Sequence, residues 1–439
     1  MFFRAIAIEK GRELNAYGLF CCFSDSFSAL LEDPSGSGRQ FLVSRSGPRY
    51  SLDQMVDCEA ANNFFQQWKH HLKSKEVDSP AIRCLIYAAY EAGNLIEQFP
   101  KPKTAVPGPV LWTLYPDYSL CFDPQAGKVF LATREKEQMD RLLVMLEEAH
   151  CQHEQPSTNP LSSAKASVTA AGTYKHAVEQ VKEYIAAGDV FQANIARFWS
   201  LPFAEKDLSA LYGSLRHVNS APFSTFARIE SDQGLLHILS ASPERLFRIS
   251  NHGEVDTRPI AGTRRRGLGE SDEALSAELL LSEKERAEHI MLVDLERNDL
   301  GRVCVPGSVE VDERMVIERY ATVQHIVSNV RGILAEGKDV VDVFKAMFPG
   351  GTITGCPKIH CMEIIHELEN NARGPYTGGL GYVAWDGSAD MNILIRTFWH
   401  VENQLHWAAG AGIVADSDPD HELMETEHKA EGLLRALSA

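Results

Sequence analysis

The spacing of apolar residues changes along this chain, and the changes predict a mixture of helices and strands. Apolar side chains three or four positions apart predict helices at 64–72 and 139–146. Short apolar runs bounded by turn residues predict strands at 110–114, 120–122 and 129–131. Because these three runs follow one another closely, they have the pattern of a β-meander.

A break in this patterning occurs at 151–172, which is rich in Ser, Thr, Pro and Ala and is the best candidate for a linker. It separates an N-terminal lobe, 1–150, from a C-terminal region, 173–439. That region opens with a predicted helix, with Thr173 as its predicted N-cap and Gly188 as its C-terminal stop. At 439 residues the chain exceeds the size of a typical single core, so we expect one large compound domain or two tightly packed lobes.

Strands and helices alternate irregularly in the C-terminal region. A strand is predicted at about 190–198, and further strands at 235–239, 303–311, 379–385, 393–399 and 405–409. No regular strand-helix-strand rhythm is present. The pattern therefore favours an α+β fold with large, mainly antiparallel sheets.

The net charge limits which partners the protein can bind, and the cysteine content indicates the cellular compartment. The chain has 60 acidic and 43 basic residues, a formal charge of −17, which repels nucleic acid and anionic membranes. Nine cysteines without a CxxC pair suit a reducing compartment. No apolar run is long enough to span a membrane, and the first residues do not show the apolar core of a signal peptide, so we expect none. We expect a cytoplasmic protein that binds neither nucleic acid nor membrane.

Two pairs of glutamates could hold a metal ion. Glu285 and Glu288 are three residues apart in a segment of helical composition, and Glu422 and Glu425 repeat that spacing. Each pair would therefore share one helix face. Mg²⁺ takes a few carboxylates together with water and substrate oxygens, so it would suit such a site. Spacing alone, however, favours two ordinary solvated helix faces.

Two glycine-rich segments could bind an anion. The segment 348–358 places three glycines and two prolines before a helical stretch, where backbone amides favour negative charge. It does not fit the ATP-binding P-loop. Gly410, Ala411 and Gly412 lie at the end of an apolar strand, where amides could approach a carboxylate. The alternative for these three residues is close packing at a strand end.

Together these segments resemble the chorismate-utilising family, which includes anthranilate synthase component I, aminodeoxychorismate synthase component I and isochorismate synthase. The resemblance runs from about 173 to 437. It rests on seven ordered blocks: 188–194, 242–244, 258–263, 285–299, 323–325, 348–358 and 410–429. The resemblance implies a chorismate-binding fold of two large stacked sheets with helices outside and the active site between them.

The resemblance also implies a set of binding residues. Mg²⁺ would be held by Glu288 and Glu425, with support from Glu285 and Glu422. The residues implied to bind chorismate are Gly262, Thr263, Tyr376, Arg396, Gly410, Ala411, Gly412 and Lys429. Within that set, Gly412 and Lys429 would meet the ring carboxylate, and Tyr376 and Arg396 the enolpyruvyl carboxylate.

Three further residues would act on the reaction itself. Glu244 matches the family's general acid, which must protonate the departing 4-hydroxyl, and His325 would lie close to that hydroxyl. Gln192 stands where water-adding members carry Lys, and an amide cannot serve as a base. Ammonia is therefore the expected nucleophile. Since the chain shows no glutaminase motif, ammonia would come from a glutamine amidotransferase subunit or from solution.

The resemblance leaves the product open. The stretches 219–226 and 30–33 lack features usual for the tryptophan-binding region of anthranilate synthases and favour the aminodeoxychorismate branch. Ala261 favours the anthranilate branch, because well-known aminodeoxychorismate synthases carry a nucleophilic Lys there. We expect amination to the 4-amino product, with anthranilate formation as the alternative. A regulatory chorismate-binding subunit without activity is a third alternative.

Overall fold

The computed structural model describes residues 1–8, 15–73, 77–97, 100–148, 165–265, 273, 277, 283–319 and 323–438. The helices in these ranges are α1 (Ala16–Cys22), α2 (Cys58–Leu72), α3 (Lys136–Glu148), α4 (Ala171–Ala187), α5 (Leu208–Val218), α6 (Glu283–Gly301), α7 (Val340–Met347), α8 (Lys358–Leu368) and α9 (Pro419–Ser438).

The strands are β1 (Phe2–Ala7), β2 (Phe27–Glu32), β3 (Gln40–Ser44), β4 (Arg49–Leu52), β5 (Ile82–Ala88), β6 (Leu111–Leu114), β7 (Tyr118–Asp123), β8 (Lys128–Thr133), β9 (Ser167–Val168), β10 (Gln192–Pro202), β11 (Phe223–Ser231), β12 (Gly234–Ser242), β13 (Arg245–Ile249), β14 (Glu254–Thr257), β15 (Ile260–Arg265), β16 (Glu310–Arg319), β17 (Val323–Ile333), β18 (Gly355–Cys356), β19 (Gly379–Ala384), β20 (Ala389–Ile393), β21 (Thr397–Val401) and β22 (Gln404–Ile413).

These strands form two large sheets. A twelve-stranded sheet has the order β1-β8-β7-β3-β2-β11-β12-β21-β22-β10-β18, with β9 beside β10. A ten-stranded sheet has the order β15-β17-β14-β13-β20-β19-β5-β6-β4, with β16 beside β17. The pairs β10 with β22 and β15 with β17, which carry many of the candidate site residues, are both antiparallel.

The two sheets stack face to face, and helices cover their outer faces. Between the sheets, the rings of Phe41 and Tyr382 lie 4.6 Å apart, and Ser119 Oγ donates to the Ile82 carbonyl at 2.7 Å. Helices α2, α4, α7 and α8 share one apolar core, which includes strands of the ten-stranded sheet. Helices α1, α3, α5 and α9 share another with the twelve-stranded sheet. The predicted α+β fold of stacked antiparallel sheets is confirmed.

Strand pairing crosses the predicted division of the chain. In the twelve-stranded sheet β2 pairs with β11, and in the ten-stranded sheet β5 pairs with β19. Residues of 1–150 therefore complete both sheets. The division at 151–172 stays a prediction, and its central part, 151–164, lies outside the described residues.

Several predicted boundaries were wrong. The expected β-meander does not form, because β6 belongs to the ten-stranded sheet while β7 and β8 form a hairpin in the other. The chain crosses between the sheets at 115–117, and periodicity alone does not reveal such a crossing. The strand predicted at 303–311 is displaced, since β16 begins only at Glu310.

Two further elements also differ from expectation. Helix α4 begins at Ala171, two residues before Thr173, which was predicted to be the N-cap. Ala170 takes the N-cap position and makes no side-chain cap bond. The strand predicted at 393–399 is divided between β20 and β21. Arg396, with a φ of +51°, lies in the break.

Candidate active site

The centre of the candidate site is the antiparallel pair β10 and β22. In their register, Asn194 faces Gly412 and Ala196 faces Gly410. A Cβ added to Gly412 would lie 2.1 Å from Gln192 Nε2, and one added to Gly410 would lie 2.7 Å from Asn194 Oδ1. Any larger residue at either position would therefore collide with these amides. Glycine is required here so that the two amide side chains can lie against β22.

Helix α6 contributes Glu288 to this region. Gln192 Nε2 donates to Glu288 Oε1 at 2.8 Å, which joins the start of β10 to the helix. That oxygen also lies 3.5 Å from the Cβ position of Gly412. Glu285 belongs to the same helix, but its side chain lies outside the described residues.

Helix α9 contributes Lys429 and Glu425. Lys429 Nζ donates to the Gly410 carbonyl at 2.9 Å and pairs with Glu425 Oε1 at 2.9 Å. Glu422, in contrast, is buried and accepts a hydrogen bond from Ser417 Oγ at 2.6 Å. That contact secures the first turn of α9, so Glu422 has a structural role in addition to its predicted one.

The carboxylates fit a magnesium ion in their chemistry. Glu288 and Glu425 are each tied to the segment 410–412, the first through Gln192 and the second through Lys429. Both are oxygen donors, and Mg²⁺ commonly uses one or two carboxylates with water and substrate oxygens. Within the described residues, no three His, Cys, Asp or Glu side chains are grouped closely enough to hold a metal alone. A metal here would need oxygens from the substrate or from water.

Glu244 is a buried carboxyl between β12 and β13. Burial raises the pKa of Glu244 to about 7, although Thr352, Lys429 and Arg396 oppose the rise. The Thr352 hydroxyl lies beside this carboxyl and opposes the rise most strongly. A carboxyl that is partly protonated near neutral pH can deliver a proton to a leaving group.

A second buried carboxyl, Glu296, was not predicted from the sequence. Burial raises the pKa of Glu296 to about 8, with further contributions from Asp299 and Glu244. Lys358 opposes the rise and pairs with Asp299 at 2.5 Å. Glu296 belongs to the 285–299 block, but nothing in its spacing distinguishes it from an exposed helix residue.

His325 and Gly262 lie on neighbouring strands. Thr263 of β15 is opposite His325 of β17, and the register shifts between Ala261 and Thr263. Gly262 has a φ of +61° at this bulge, a conformation that glycine adopts without strain. Burial, aided by the nearby Arg396, lowers the pKa of His325 to about 4, so its ring is neutral at physiological pH.

Tyr376 and Arg396 lie in different parts of the candidate site. The Tyr376 hydroxyl lies 2.8 Å from the Cβ position of Gly410, which places it beside the end of β22. Arg396 influences the pKa values of both Glu244 and His325, so it lies near the carboxyl and the imidazole. The structure thus gathers Gln192, Glu288, Gly410, Gly412, Lys429, Glu425 and Tyr376 around one strand end. It places Glu244, His325 and Arg396 near one another.

A buried ion pair supports this arrangement and was also not predicted. Arg373 Nη2 donates to Glu369 Oε1 at 2.6 Å and to the Asn194 carbonyl at 2.7 Å, and its Nη1 donates to the Ile353 carbonyl at 3.0 Å. It therefore links β10 to the glycine-rich turn at 351–353. Only the folded arrangement shows this link, because an Arg four residues after a Glu resembles an ordinary helix-surface pair.

The chain matches known proteins along most of its length. A family model described as chorismate binding enzyme matches residues 31–435. An anthranilate synthase component I-like protein from Synechocystis is 45% identical over 88% of this chain and 78% of its own length. Aminodeoxychorismate synthase component 1 from Bacillus subtilis is 50% identical over 60% of this chain and 55% of its own. Anthranilate synthase component 1 from Thermus thermophilus is 49% identical over 60% and 56%.

A solved structure shares most of this architecture. Anthranilate synthase component I from Streptococcus pneumoniae superposes with a TM-score of 0.77 and 29% identity, covering 91% of this chain and 92% of that one. The chain spans little more than half the length of the Bacillus and Thermus relatives. Their names also divide between two activities at nearly equal identity.

Proposed function

This chain belongs to the family of chorismate binding enzymes, and we propose that it aminates chorismate to 4-amino-4-deoxychorismate, as an aminodeoxychorismate synthase component I. In this reaction chorismate and ammonia give the 4-amino product and water. The proposal places the chain in the supply of 4-aminobenzoate for folate. The candidate site supports it through a buried acid, a region suited to magnesium and an amide where water-adding members carry a base.

Glu244 is the proposed general acid. The 4-hydroxyl is a poor leaving group, so its departure as water needs a proton. The raised pKa of Glu244 keeps part of the carboxyl protonated near pH 7. His325, neutral because its pKa is low, would contact the departing hydroxyl without competing as the acid.

The two carboxylates of chorismate would be bound by the cations and amides around β22. Lys429 already contacts the Gly410 carbonyl, and with the Gly412 backbone it would bind the ring carboxylate. Tyr376 and Arg396 would hold the enolpyruvyl carboxylate, for which an Arg fork is well suited. Gly262 and Thr263 would line the ring, and Ala411 would complete the strand end beneath it.

Magnesium would be held by Glu288 and Glu425, with Glu285 and Glu422 in support. When bound, the metal would neutralise the ring carboxylate and orient the substrate. The residues of this chain would then fix the ring between the acid and the nucleophile. Gln192 cannot act as a base, which favours ammonia over water as the nucleophile. A glutamine amidotransferase subunit is the proposed source of that ammonia.

The 4-amino product is favoured chiefly by one observation in the twelve-stranded sheet. Ser224 of β11 pairs with Glu32 of β2, so the two stretches that differ from tryptophan-sensitive enzymes lie side by side. The Glu32 carboxylate is engaged by Arg216 at 2.9 Å and by the Tyr212 hydroxyl at 2.8 Å. Asp33, where a serine is usual, accepts hydrogen bonds from Ser35 and Ser37. This arrangement supports an enzyme without tryptophan feedback.

Formation of anthranilate is the second candidate, and Ala261 favours it. An alanine cannot form the covalent intermediate that the nucleophilic Lys forms in well-known aminodeoxychorismate synthases. Direct attack by ammonia would remove the need for that Lys. A regulatory subunit without activity is disfavoured because the acid and the proposed metal ligands are present.

Product analysis tests the proposal. The purified chain is incubated with chorismate, Mg²⁺ and an ammonium salt, and the products are separated and identified by mass spectrometry. A 4-amino-4-deoxychorismate product, convertible to 4-aminobenzoate by a separate lyase, supports the proposal. Anthranilate with release of pyruvate contradicts it, and absence of turnover supports the regulatory alternative.

A further inference from the structure

Two buried amide oxygens on β10 accept no hydrogen bond from the part of the chain that the structure describes. Gln192 Oε1 and Asn194 Oδ1 are both inaccessible to solvent, and none of the described residues donates to either. Their residues are 3% and 9% exposed. Buried carbonyl oxygens are normally paired, because an unpaired one costs the free energy of its lost hydration. Two such oxygens two residues apart therefore call for an explanation.

The orientation of the Gln192 amide follows from its neighbour. Its nitrogen donates to the Glu288 carboxylate, and a carboxylate can only accept, so the amide nitrogen must face Glu288. The Gln192 oxygen is therefore directed away from that carboxylate.

The two side chains lie on the same face of β10. Residues two apart on a strand share a face, and their Cα atoms are about 7 Å apart. The nitrogen of Gln192 lies over Gly412, and the oxygen of Asn194 lies over Gly410. The Tyr376 hydroxyl approaches the same glycine. Both acceptors thus adjoin the segment where the substrate carboxylates are proposed to bind.

We propose that the side-chain oxygens of Asn194 and Gln192 form the acceptor side of an ammonia-binding site. This inference rests on the proposed function, since it assigns a place to the nucleophile of that reaction. Substrate carboxylates cannot satisfy these oxygens, because both partners would be acceptors. Ammonia has three N–H donors and one lone pair. It can donate to these amides while its lone pair stays directed at the ring.

The test measures the dependence of the rate on ammonium. For wild type, Asn194→Ala and Asn194→Asp, total aminated product is measured whatever its position of substitution, so the result does not depend on which product forms. KM is determined separately for ammonium, chorismate and Mg²⁺. Asn329→Ala is the matched control, because Asn329 is equally buried but pairs with Asp312 outside the site.

Loss of the acceptor should raise KM for ammonium about tenfold, the typical effect of one hydrogen bond. KM for chorismate and for Mg²⁺ should change less than about threefold. Asn194→Asp keeps an acceptor oxygen, so it should stay within about threefold of wild type for ammonium. Asn329→Ala should leave all three constants unchanged. If Asn194→Ala does not fold, Asn194→Leu, of similar volume and without an acceptor, replaces it.

Three outcomes would overturn the inference. An unchanged KM for ammonium in Asn194→Ala would mean that the oxygen binds only water. A rise confined to KM for Mg²⁺ would make Asn194 part of the metal site. An equal rise in the Asp variant, which keeps the oxygen and nearly the same volume, would show that the amide nitrogen of Asn194 is required and not its oxygen. If wild type forms anthranilate instead, the proposed function fails, but these comparisons still decide the ammonia site.

Discussion

Gln192 donates a hydrogen bond to Glu288 at 2.8 Å, and this contact joins the proposed nucleophile region to the proposed metal region. The amide fixes one carboxylate oxygen of Glu288 in place. The other carboxylate oxygen has no such restriction from Gln192. Because each residue holds the other in place, a substitution at either position should weaken the binding of both ammonia and magnesium.

Glu288→Gln should abolish turnover with little loss of stability, because the variant loses a charged metal ligand while its side-chain oxygen can still accept from Gln192. Turnover is measured across a magnesium titration, and unfolding is followed by circular dichroism. Glu425→Gln should behave alike. Asp294→Asn, on the exposed face of α6, is the control. Normal turnover of either glutamine variant at limiting Mg²⁺ would contradict the assignment.

Glu244→Gln should bind chorismate but lose elimination, since an amide has no acidic proton to deliver. The expected loss in kcat is about a hundredfold or more. Equilibrium binding of chorismate, measured by calorimetry in the presence of Mg²⁺, should change little. A variant as active as wild type would show that another group protonates the hydroxyl.

The pH profile should reflect the same carboxyl. Burial raises the pKa of Glu244 to about 7, and the reaction needs its protonated form. Above that pH, kcat/KM should therefore fall about tenfold for each pH unit. The rate is measured at constant free ammonia, because the ammonium equilibrium also changes with pH. A rate that rises through pH 7 to 9 would argue against Glu244 as the acid.

Glu296 should make the stability of the protein depend on pH. Burial raises its pKa from 4.5 to about 8, so its contribution to stability is full below pH 4.5 and is lost as the pH rises through 8. Glu296→Gln removes this dependence. The Tm of the variant relative to wild type should increase by about 2 °C or more between pH 6 and pH 9. If the difference in Tm between the variant and wild type is the same at pH 6 and pH 9, Glu296 is ionised or exposed at both pH values.

Tryptophan should not inhibit the enzyme. Glu32 is already engaged by Arg216 and Tyr212, and Asp33 by two serines. Initial rates are measured with increasing tryptophan at subsaturating chorismate, beside a tryptophan-sensitive anthranilate synthase as positive control. Inhibition that is competitive with chorismate would show that a feedback site remains.

The fold class could be predicted because its signals are local. Irregular alternation of strands and helices indicated antiparallel sheets, and the glycines at 410 and 412 marked a close approach to the backbone. The location of β6 could not be predicted, since four buried residues fit either sheet equally well. The start of β16 could not be predicted for a different reason, since its positions are exposed or half-buried and show little apolar pattern.

The candidate site divides in a similar way. Glu244, Glu288 and Lys429 belong to motifs that can be recognised in the sequence. In the structure, Glu288 and Lys429 lie around the end of β22, and Lys429 is close enough to Glu244 to affect its pKa. Glu296 and the pair of Glu369 with Arg373 were missed because burial distinguishes them, and burial arises only when distant elements pack together. The buried oxygen of Asn194, to which none of the described residues donates, could not be predicted either, since the sequence does not show which donors lie near it.

The identity of the aminated product is the most direct test of the central claim. Wild type is supplied with chorismate, Mg²⁺ and ammonium, and products are resolved by chromatography with fluorescence and mass detection. The proposed function predicts 4-amino-4-deoxychorismate without release of pyruvate, and Ala261→Lys would then test whether a covalent route can be added. Anthranilate formed in step with pyruvate would contradict the assignment and identify Ala261 as the residue that marks the product.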